Sequence, residues 1–146
     1  MILREASGRT VPILLVEDDD IDIEAVRRTL KSAEIENPVH VAHDGVEALD
    51  MLYGRTGAAK ITLPCVILLD INLPRMDGLQ FLEVRSGGIN LKQSIVFILT
   101  TSDRHHDKMR AYELNIAGYL LKHDLSKLAG LLSNYLEINR FPDGHF

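Results

Sequence analysis

The chain alternates short apolar runs with segments whose apolar residues recur at helical spacing. The runs lie at Ile13–Val16, Val39–Ala42, Cys65–Leu69, Ile95–Leu99 and Tyr119–Leu121. Three of them, ILLV, CVILL and IVFIL, are almost continuously apolar, which is typical of parallel strands covered by helices on both faces. The pattern therefore predicts five buried, parallel β-strands.

Helical spacing fills the intervals between the runs. Asp44, which precedes Gly45 and lies three residues before Glu47, predicts a capped helix start in the second interval. The apolar positions predicted to share a helix face are Ile21, Ala25, Val26 and Leu30; Val46, Leu49 and Leu52; Leu79, Leu82 and Val84; and Met109, Ala111, Tyr112 and Leu114. A last helix is predicted from Leu125 to Ile138.

Five strand-helix units of this size predict an α/β fold, a flavodoxin-like doubly wound five-stranded parallel sheet with helices on both faces. The crossovers are expected to be right-handed, and five strands fit the doubly wound order 2-1-3-4-5. In such sheets the ligand site lies beyond the carboxyl ends of the strands. Those ends are therefore where we expect the chemistry.

Length and composition limit the number of domains and the classes of partner. The 146 residues, 46% of them hydrophobic, predict one domain over 1–146, with its core at about 11–138 and short tails at both ends. A net charge of −5 offers no basic surface for nucleic acid or an anionic membrane, so we expect contacts with proteins instead. No apolar run is long enough to span a bilayer, and MILREASGRT lacks the apolar core of a signal peptide.

Cys65 is the single cysteine, so an intramolecular disulfide is excluded, and its apolar surroundings predict a buried thiol. Together with the absence of a signal peptide, this favours a cytoplasmic protein. His105 and His106, with Asp103 and Asp107, could suggest a second metal site or a relay histidine, but a solvated helix start is favoured.

Polar residues follow four of the five runs. Glu17 and Asp18 follow the first run, and Asp70 follows the third. Thr100 follows the fourth run, and Lys122 follows the fifth. Bringing three carboxylates to one edge is unfavourable unless a cation neutralises them. Mg²⁺ prefers such hard oxygen ligands. An aspartate is also a competent nucleophile toward phosphorus, and a cation, an ammonium and a hydroxyl are suited to stabilise a transferred phosphoryl group.

Four motifs together resemble the receiver domains of bacterial response regulators. They are LLVEDDD, LLDINLPRMDG, LTTS and GYLLK, with 30 residues from Asp70 to Thr100 and 22 from Thr100 to Lys122. The resemblance spans Ile13 to Leu136. It implies a signalling protein rather than an enzyme. This signalling protein would take part in phosphotransfer and in its own dephosphorylation.

The resemblance implies that Asp70 accepts a phosphoryl group from a sensor histidine kinase. Glu17 and Asp18 would hold Mg²⁺, with Mn²⁺ as an alternative, together with Asp70 and the backbone carbonyl of Asn72.

It further implies that Lys122 pairs with the phosphoryl oxygens and that Thr100 turns inward to bond them. Tyr119 would occupy the aromatic switch position and rotate with Thr100. Chemistry at Asp70 would thereby change the surface that partner proteins meet.

Within that family, the single-domain form, LTTS and the extension after the last helix look most like regulators associated with bacterial phytochromes. This implies a light-sensing kinase as partner and a homodimer through the last helix and tail. The apolar residues of that helix are Leu128, Leu131, Leu132, Tyr135 and Leu136.

One departure keeps alternatives open: His123 stands where receivers commonly have a proline joined by a cis bond. A cis bond to a non-proline residue costs about 2.5–4 kcal/mol, so the sequence leaves open whether the Lys122–His123 peptide is cis or trans. If the change displaces Lys122, the chain would be a phosphorylation-independent interaction module. An aspartyl-phosphate hydrolase is disfavoured because its second acid would stand where this chain has Asn72.

Overall fold

The computed structural model describes residues 2, 10–55, 57, 60–88, 93–101 and 103–140, with side chains as far as residue 134. The strands are β1 (Ile13–Val16), β2 (Val39–Ala42), β3 (Val66–Leu69), β4 (Ile95–Thr100) and β5 (Gly118–Leu121). The helices are α1 (Asp20–Ser32), α2 (Gly45–Tyr53), α3 (Gly78–Gly87), α4 (His105–Glu113) and α5 (Leu128–Arg140), with a 3₁₀ helix at Lys122–Lys127.

All five strands pair in parallel, in the order β2-β1-β3-β4-β5. The predicted fold is therefore confirmed. β1 and β3 are buried along their whole length, as expected from their uninterrupted apolar runs, whereas the two edge strands β2 and β5 are partly exposed. Alternate strand residues point to opposite faces of the sheet, so each face has its own core.

One core lies between the sheet and helices α2, α3 and α4, and Phe81 and Leu82 of α3 are completely buried in it. The other lies between the opposite face and helices α1 and α5. Among the α5 side chains that the structure describes, Leu128 and Leu132 are fully buried in this core. The predicted arrangement of helices on both faces is correct. Cys65 is buried in the first core, as predicted.

Aspartates start three of the helices. Asp19 accepts hydrogen bonds from two backbone N–H groups of α1, and Asp77 forms a reciprocal capping box with Gln80 at α3. Asp44 caps α2 and accepts from the N–H of Glu47, which confirms the predicted helix start. Each cap satisfies backbone donors that the helix leaves unpaired.

Several predicted helix faces are wrong in detail. Ile21 is 80% exposed, and Ile23 instead contributes to the core. Val84, Met109 and Tyr112 are also exposed by more than two fifths. Alternative apolar stripes overlap in short helices, and only packing selects between them.

The last helical segment differs from its predicted bounds. The chain turns through the 3₁₀ helix after β5, and α5 begins at Leu128 rather than Leu125. The side chains of Tyr135 and Leu136, the tail after Arg140 and most of residues 1–9 lie outside the described residues. Within the part of the chain that the structure describes, no helix has the length and hydropathy of a membrane span.

Candidate functional site

The predicted site residues meet at the carboxyl edge of the sheet. Glu17 follows β1, Asp70 follows β3, Thr100 ends β4 and Lys122 follows β5. Glu17, Asp70 and Thr100 are buried, and the Lys122 side chain is 14% exposed. Hydrophobic strands thus carry a group of polar side chains to a partly sheltered edge.

The ammonium of Lys122 lies among three carboxylates. Its Nζ is 2.5 Å from Glu17 Oε1, 2.6 Å from Asp22 Oδ2 and 2.9 Å from Asp70 Oδ2. Burial disfavours the ammonium, but the hydrogen bonds to Asp22, Glu17 and Asp70 outweigh burial and raise the pKa of Lys122. Lys122 therefore stays charged beside the proposed acceptor.

Glu17 is the most deeply buried of these acids. Burial is the largest influence on it and raises its pKa, and the nearby charge of Asp70 acts in the same direction. The hydrogen bond from Lys122 and the backbone N–H of Asp19 lower that pKa in part. The site thus has more negative charge than the single ammonium balances.

Glu17, Asp18 and Asp70 form a donor set suited to a divalent cation. Each offers one carboxylate oxygen, and these atoms lie within 4.8 Å of one another. Hard oxygen donors of this kind are what Mg²⁺ and Mn²⁺ accept, and a cation would relieve the excess negative charge. The residues present therefore fit the metal that the sequence predicts.

The loop after β3 fixes Asp70 through its backbone. The N–H of Asn72 donates to Asp70 Oδ1 over 3.3 Å, and the N–H of Gly78 donates to the carbonyl of Ile71 over 2.9 Å. A Cβ at Gly78 would lie 2.4 Å from the carbonyl oxygen of Asp70. Position 78 thus requires glycine because the backbone passes so close.

The two predicted switch residues lie on neighbouring strands. Thr100 is fully buried at the end of β4, and Tyr119 of β5 packs partly buried against the core under α4. The ammonium of Lys108, on α4, lies 5.6 Å from the centre of the Tyr119 ring, within cation–π range. Tyr119 of the edge strand thus contacts both the core and a side chain of α4.

Asp22 is a site residue that the sequence predictions missed. It lies in the first turn of α1, and its contact with Lys122 joins residues 100 positions apart in the chain. The available signal was its place three residues after the cap Asp19, within one helical turn of the acidic run. His105 and His106 are exposed at the start of α4, as predicted.

The peptide after Lys122 is trans, because the one cis bond among the described residues joins Leu63 and Pro64. Lys122 still reaches Asp70. The sequence left this isomer open, and in the structure the trans peptide keeps Lys122 in contact with Asp70.

The protein-family model described as the response regulator receiver domain matches residues 13–132 of this chain. The chain belongs to the response regulator receiver domain family. Response regulator Rcp1 of Synechocystis sp. is 36% identical over 135 residues, which cover 89% of this chain and 92% of Rcp1.

Solved receiver structures agree with this assignment. The Mn²⁺-bound form of Rcp1 is 36% identical with a TM-score of 0.77, covering 87% of this chain and 95% of that one. The phosphorylated cyanobacterial phytochrome response regulator RcpA is 32% identical with a TM-score of 0.75, covering 88% and 93%. The bacteriophytochrome response regulator AtBRR is 34% identical with a TM-score of 0.72, covering 85% and 92%.

Proposed function

We propose that this receiver domain accepts a phosphoryl group on Asp70 from a sensor histidine kinase, with Mg²⁺ bound at Glu17, Asp18, Asp70 and the carbonyl of Asn72. The observation that carries the proposal is the contact of Lys122 Nζ with Asp70 Oδ2 at 2.9 Å, beside a cluster of metal-compatible carboxylates. A nucleophile, a cation site and a fixed positive charge are the parts that phosphoryl transfer requires.

In the transfer, a carboxylate oxygen of Asp70 attacks the phosphorus of a phosphohistidine. An O–P bond forms as the N–P bond breaks, and the electron pair stays on the imidazole nitrogen, which takes up a proton from solvent. Bound Mg²⁺ would supply charge neutralisation for the phosphoryl oxygens. Lys122 lies where it can donate to the same oxygens, which fits a transition state with charge spread over them.

The donor has room to approach. An open groove of about 530 Å³ runs beside the acid cluster, along the loop after β3 and the start of α4. The polar residues that line it are Asp18, Asn72, Asp77, Arg104 and Asp107. This side of the edge is where we place the kinase's phosphohistidine.

The output would be a change of surface. Thr100 would bond the phosphoryl group, and Tyr119 would move with it, which would alter the face formed by α4 and β5. Such a switch acts by giving the two states different affinities for a partner. The relatives RcpA and AtBRR are phytochrome response regulators by name, which supports a bacterial phytochrome as the kinase.

The deciding experiment is the intact mass of the chain after incubation with acetyl phosphate and Mg²⁺. A gain of one phosphoryl group that is lost in Asp70→Asn and in EDTA would support the proposal. If the native chain gains no phosphoryl group, the proposal is wrong and the phosphorylation-independent interaction module is favoured. Rapid release of inorganic phosphate without an accumulated adduct would favour a hydrolase.

A homodimer through α5 and the tail also remains a proposal. Leu128 and Leu132 are fully buried in the core, so they are not available for a partner, whereas Leu131 is 37% exposed. Equilibrium sedimentation of the full chain and of Leu131→Glu tests it. A monomer for the full chain would exclude the dimer, and a dimer insensitive to the substitution would place it elsewhere.

A further inference from the structure

Of the three carboxylates around Lys122, Asp22 differs in its position. Glu17 and Asp70 belong to the cluster that can hold a metal, whereas Asp22 lies outside that cluster on the first turn of α1. Its Oδ2 atom is 2.6 Å from Nζ, a short, charge-assisted hydrogen bond. Asp22 is therefore an anionic partner of Lys122 that a metal bound at the cluster would not coordinate.

The other two carboxylates, of Glu17 and Asp70, accept hydrogen bonds from backbone N–H groups as well as from Lys122. Lys122 occupies one oxygen each of Glu17 and Asp70, and the remaining oxygens accept backbone N–H groups from Asp18, Asp19 and Asn72. A cation held by Glu17 and Asp70 would have to compete with these donors. Lys122 would then lose part of its interaction with both carboxylates.

Lys122 needs contacts that fix its side chain. Its side chain is long and flexible, and fixing such a chain costs conformational entropy. The backbone on its carboxyl side enters an irregular 3₁₀ turn, in which Asp124 has non-helical angles. A partner on a regular helix is a firmer anchor, and Asp22 belongs to the 13-residue helix α1.

We propose that Asp22 is a positioning residue that keeps the ammonium of Lys122 at the acceptor when a divalent cation takes up Glu17 and Asp70. The inference rests on the proposed phosphoacceptor function and adds a residue to it. Asp22 and Lys122 line the same small cavity, of about 70 Å³, with Val26 and Leu125. The Asp22 side chain is 35% exposed, so the contact lies at the boundary between the buried site and solvent.

The first test measures how firmly the ammonium of Lys122 is held, without any phosphoryl transfer. The chain is treated briefly with an acetylating N-hydroxysuccinimide ester, with and without Mg²⁺, and the modification of each lysine is measured by peptide mass spectrometry. Lys127, whose side chain is 68% exposed, is the internal reference. Asp20→Asn is the matched control, since it removes an exposed acid from the same helical turn.

With Mg²⁺ present, we expect Lys122 labelling in Asp22→Asn to exceed that of the native chain by about fivefold or more, because a lost charge-assisted bond is worth that factor. Asp20→Asn should match the native chain. Equal labelling in native and Asp22→Asn, or an equal increase in Asp20→Asn, would overturn the proposal, the latter by assigning the effect to general charge.

The second test links the contact to the reaction through a double-mutant cycle. Asp22→Asn should slow phosphorylation by acetyl phosphate about fivefold to tenfold, and should have no further effect in a Lys122→Met background. An equal slowing in both backgrounds would mean that Asp22 acts other than through Lys122. If the native chain takes no phosphoryl group, the proposed function fails, whereas the labelling still decides whether Asp22 holds the lysine.

Discussion

Arg75 and Asp44 form a two-point contact between the loop that follows β3 and the start of α2. Arg75 Nε donates to Asp44 Oδ2 over 2.6 Å and its Nη2 donates to Oδ1 over 3.1 Å. Nearby, the N–H of Gly45 donates to the carbonyl of Met76 over 3.1 Å. Asp44 thus caps its helix and anchors the loop with one carboxylate.

Asp44→Ala should lower the free energy of unfolding by about 1–2 kcal/mol, since it removes the N-cap of α2. Asp44→Asn keeps a cap acceptor for the N–H of Glu47 but loses the charge that Arg75 meets. Urea unfolding of both variants separates the two roles. Equal losses in the two variants would mean that the cap contributes little.

The same pair predicts a pH dependence. Burial alone would raise the pKa of Asp44, but the hydrogen bonds from Arg75 and from the backbone of Glu47 outweigh it and hold that pKa below its ordinary 3.8. The folded state therefore favours the ionised carboxyl, so its contribution is complete above pH 3.8 and is lost as pH falls through the lowered value.

Arg75→Met should accordingly lower the urea midpoint at pH 7, and the difference from the native chain should shrink as the pH falls below the ordinary pKa of the carboxyl. Unfolding curves between neutral and acid pH measure this. A difference that stays constant through that range would show that Arg75 stabilises the loop by packing rather than by charge.

Gly78→Ala should destabilise the fold by about 1–3 kcal/mol and impair phosphorylation, because the added methyl would overlap the backbone of Asp70. Gly130→Ala is the matched control: it lies on α5 with open space around a Cβ and should stabilise by about 0.5–1 kcal/mol. Thermal unfolding and the acetyl phosphate assay measure both. Retained phosphorylation in Gly78→Ala would mean that the loop tolerates the shift.

Divalent metal should stabilise the native chain against heat. At a hundredfold excess over Kd, binding adds about 2.7 kcal/mol, a rise in Tm of roughly 5–10 °C for a chain of this size. Glu17→Gln should lose most of that rise, whereas Asp20→Asn should keep it. An unchanged rise in Glu17→Gln would place the metal away from the acid cluster.

Arg85 is a buried cation with backbone and hydroxyl partners. It donates to Ser94 Oγ over 2.8 Å, to the Ser94 carbonyl over 2.7 Å and to the Leu114 carbonyl over 3.3 Å, joining α3, the start of β4 and the end of α4. Arg85→Met should cost about 2–3 kcal/mol because buried acceptors lose charged donors. Urea unfolding tests it, and a loss well under 1 kcal/mol would mean that other donors replace the guanidinium.

The sheet could be predicted because each strand is a short apolar run in the sequence. Residues such as Leu68 lie in runs too apolar to face water on either side, and such runs specify parallel strands between two layers of helices. Since the carboxyl ends of parallel strands meet at one edge, Glu17, Asp70, Thr100 and Lys122 could be grouped from their positions alone.

The sequence by itself thus determined the fold class, the strand order and the acids, hydroxyl and lysine of the candidate site. Only the tertiary structure decided which carboxylates hold Lys122, that Asp44 meets Arg75 and that Ile23 rather than Ile21 enters the core. Strand positions follow from local burial, which a sequence pattern records. Pairings between helices and loops depend on how distant segments pack, and no local pattern specifies that choice.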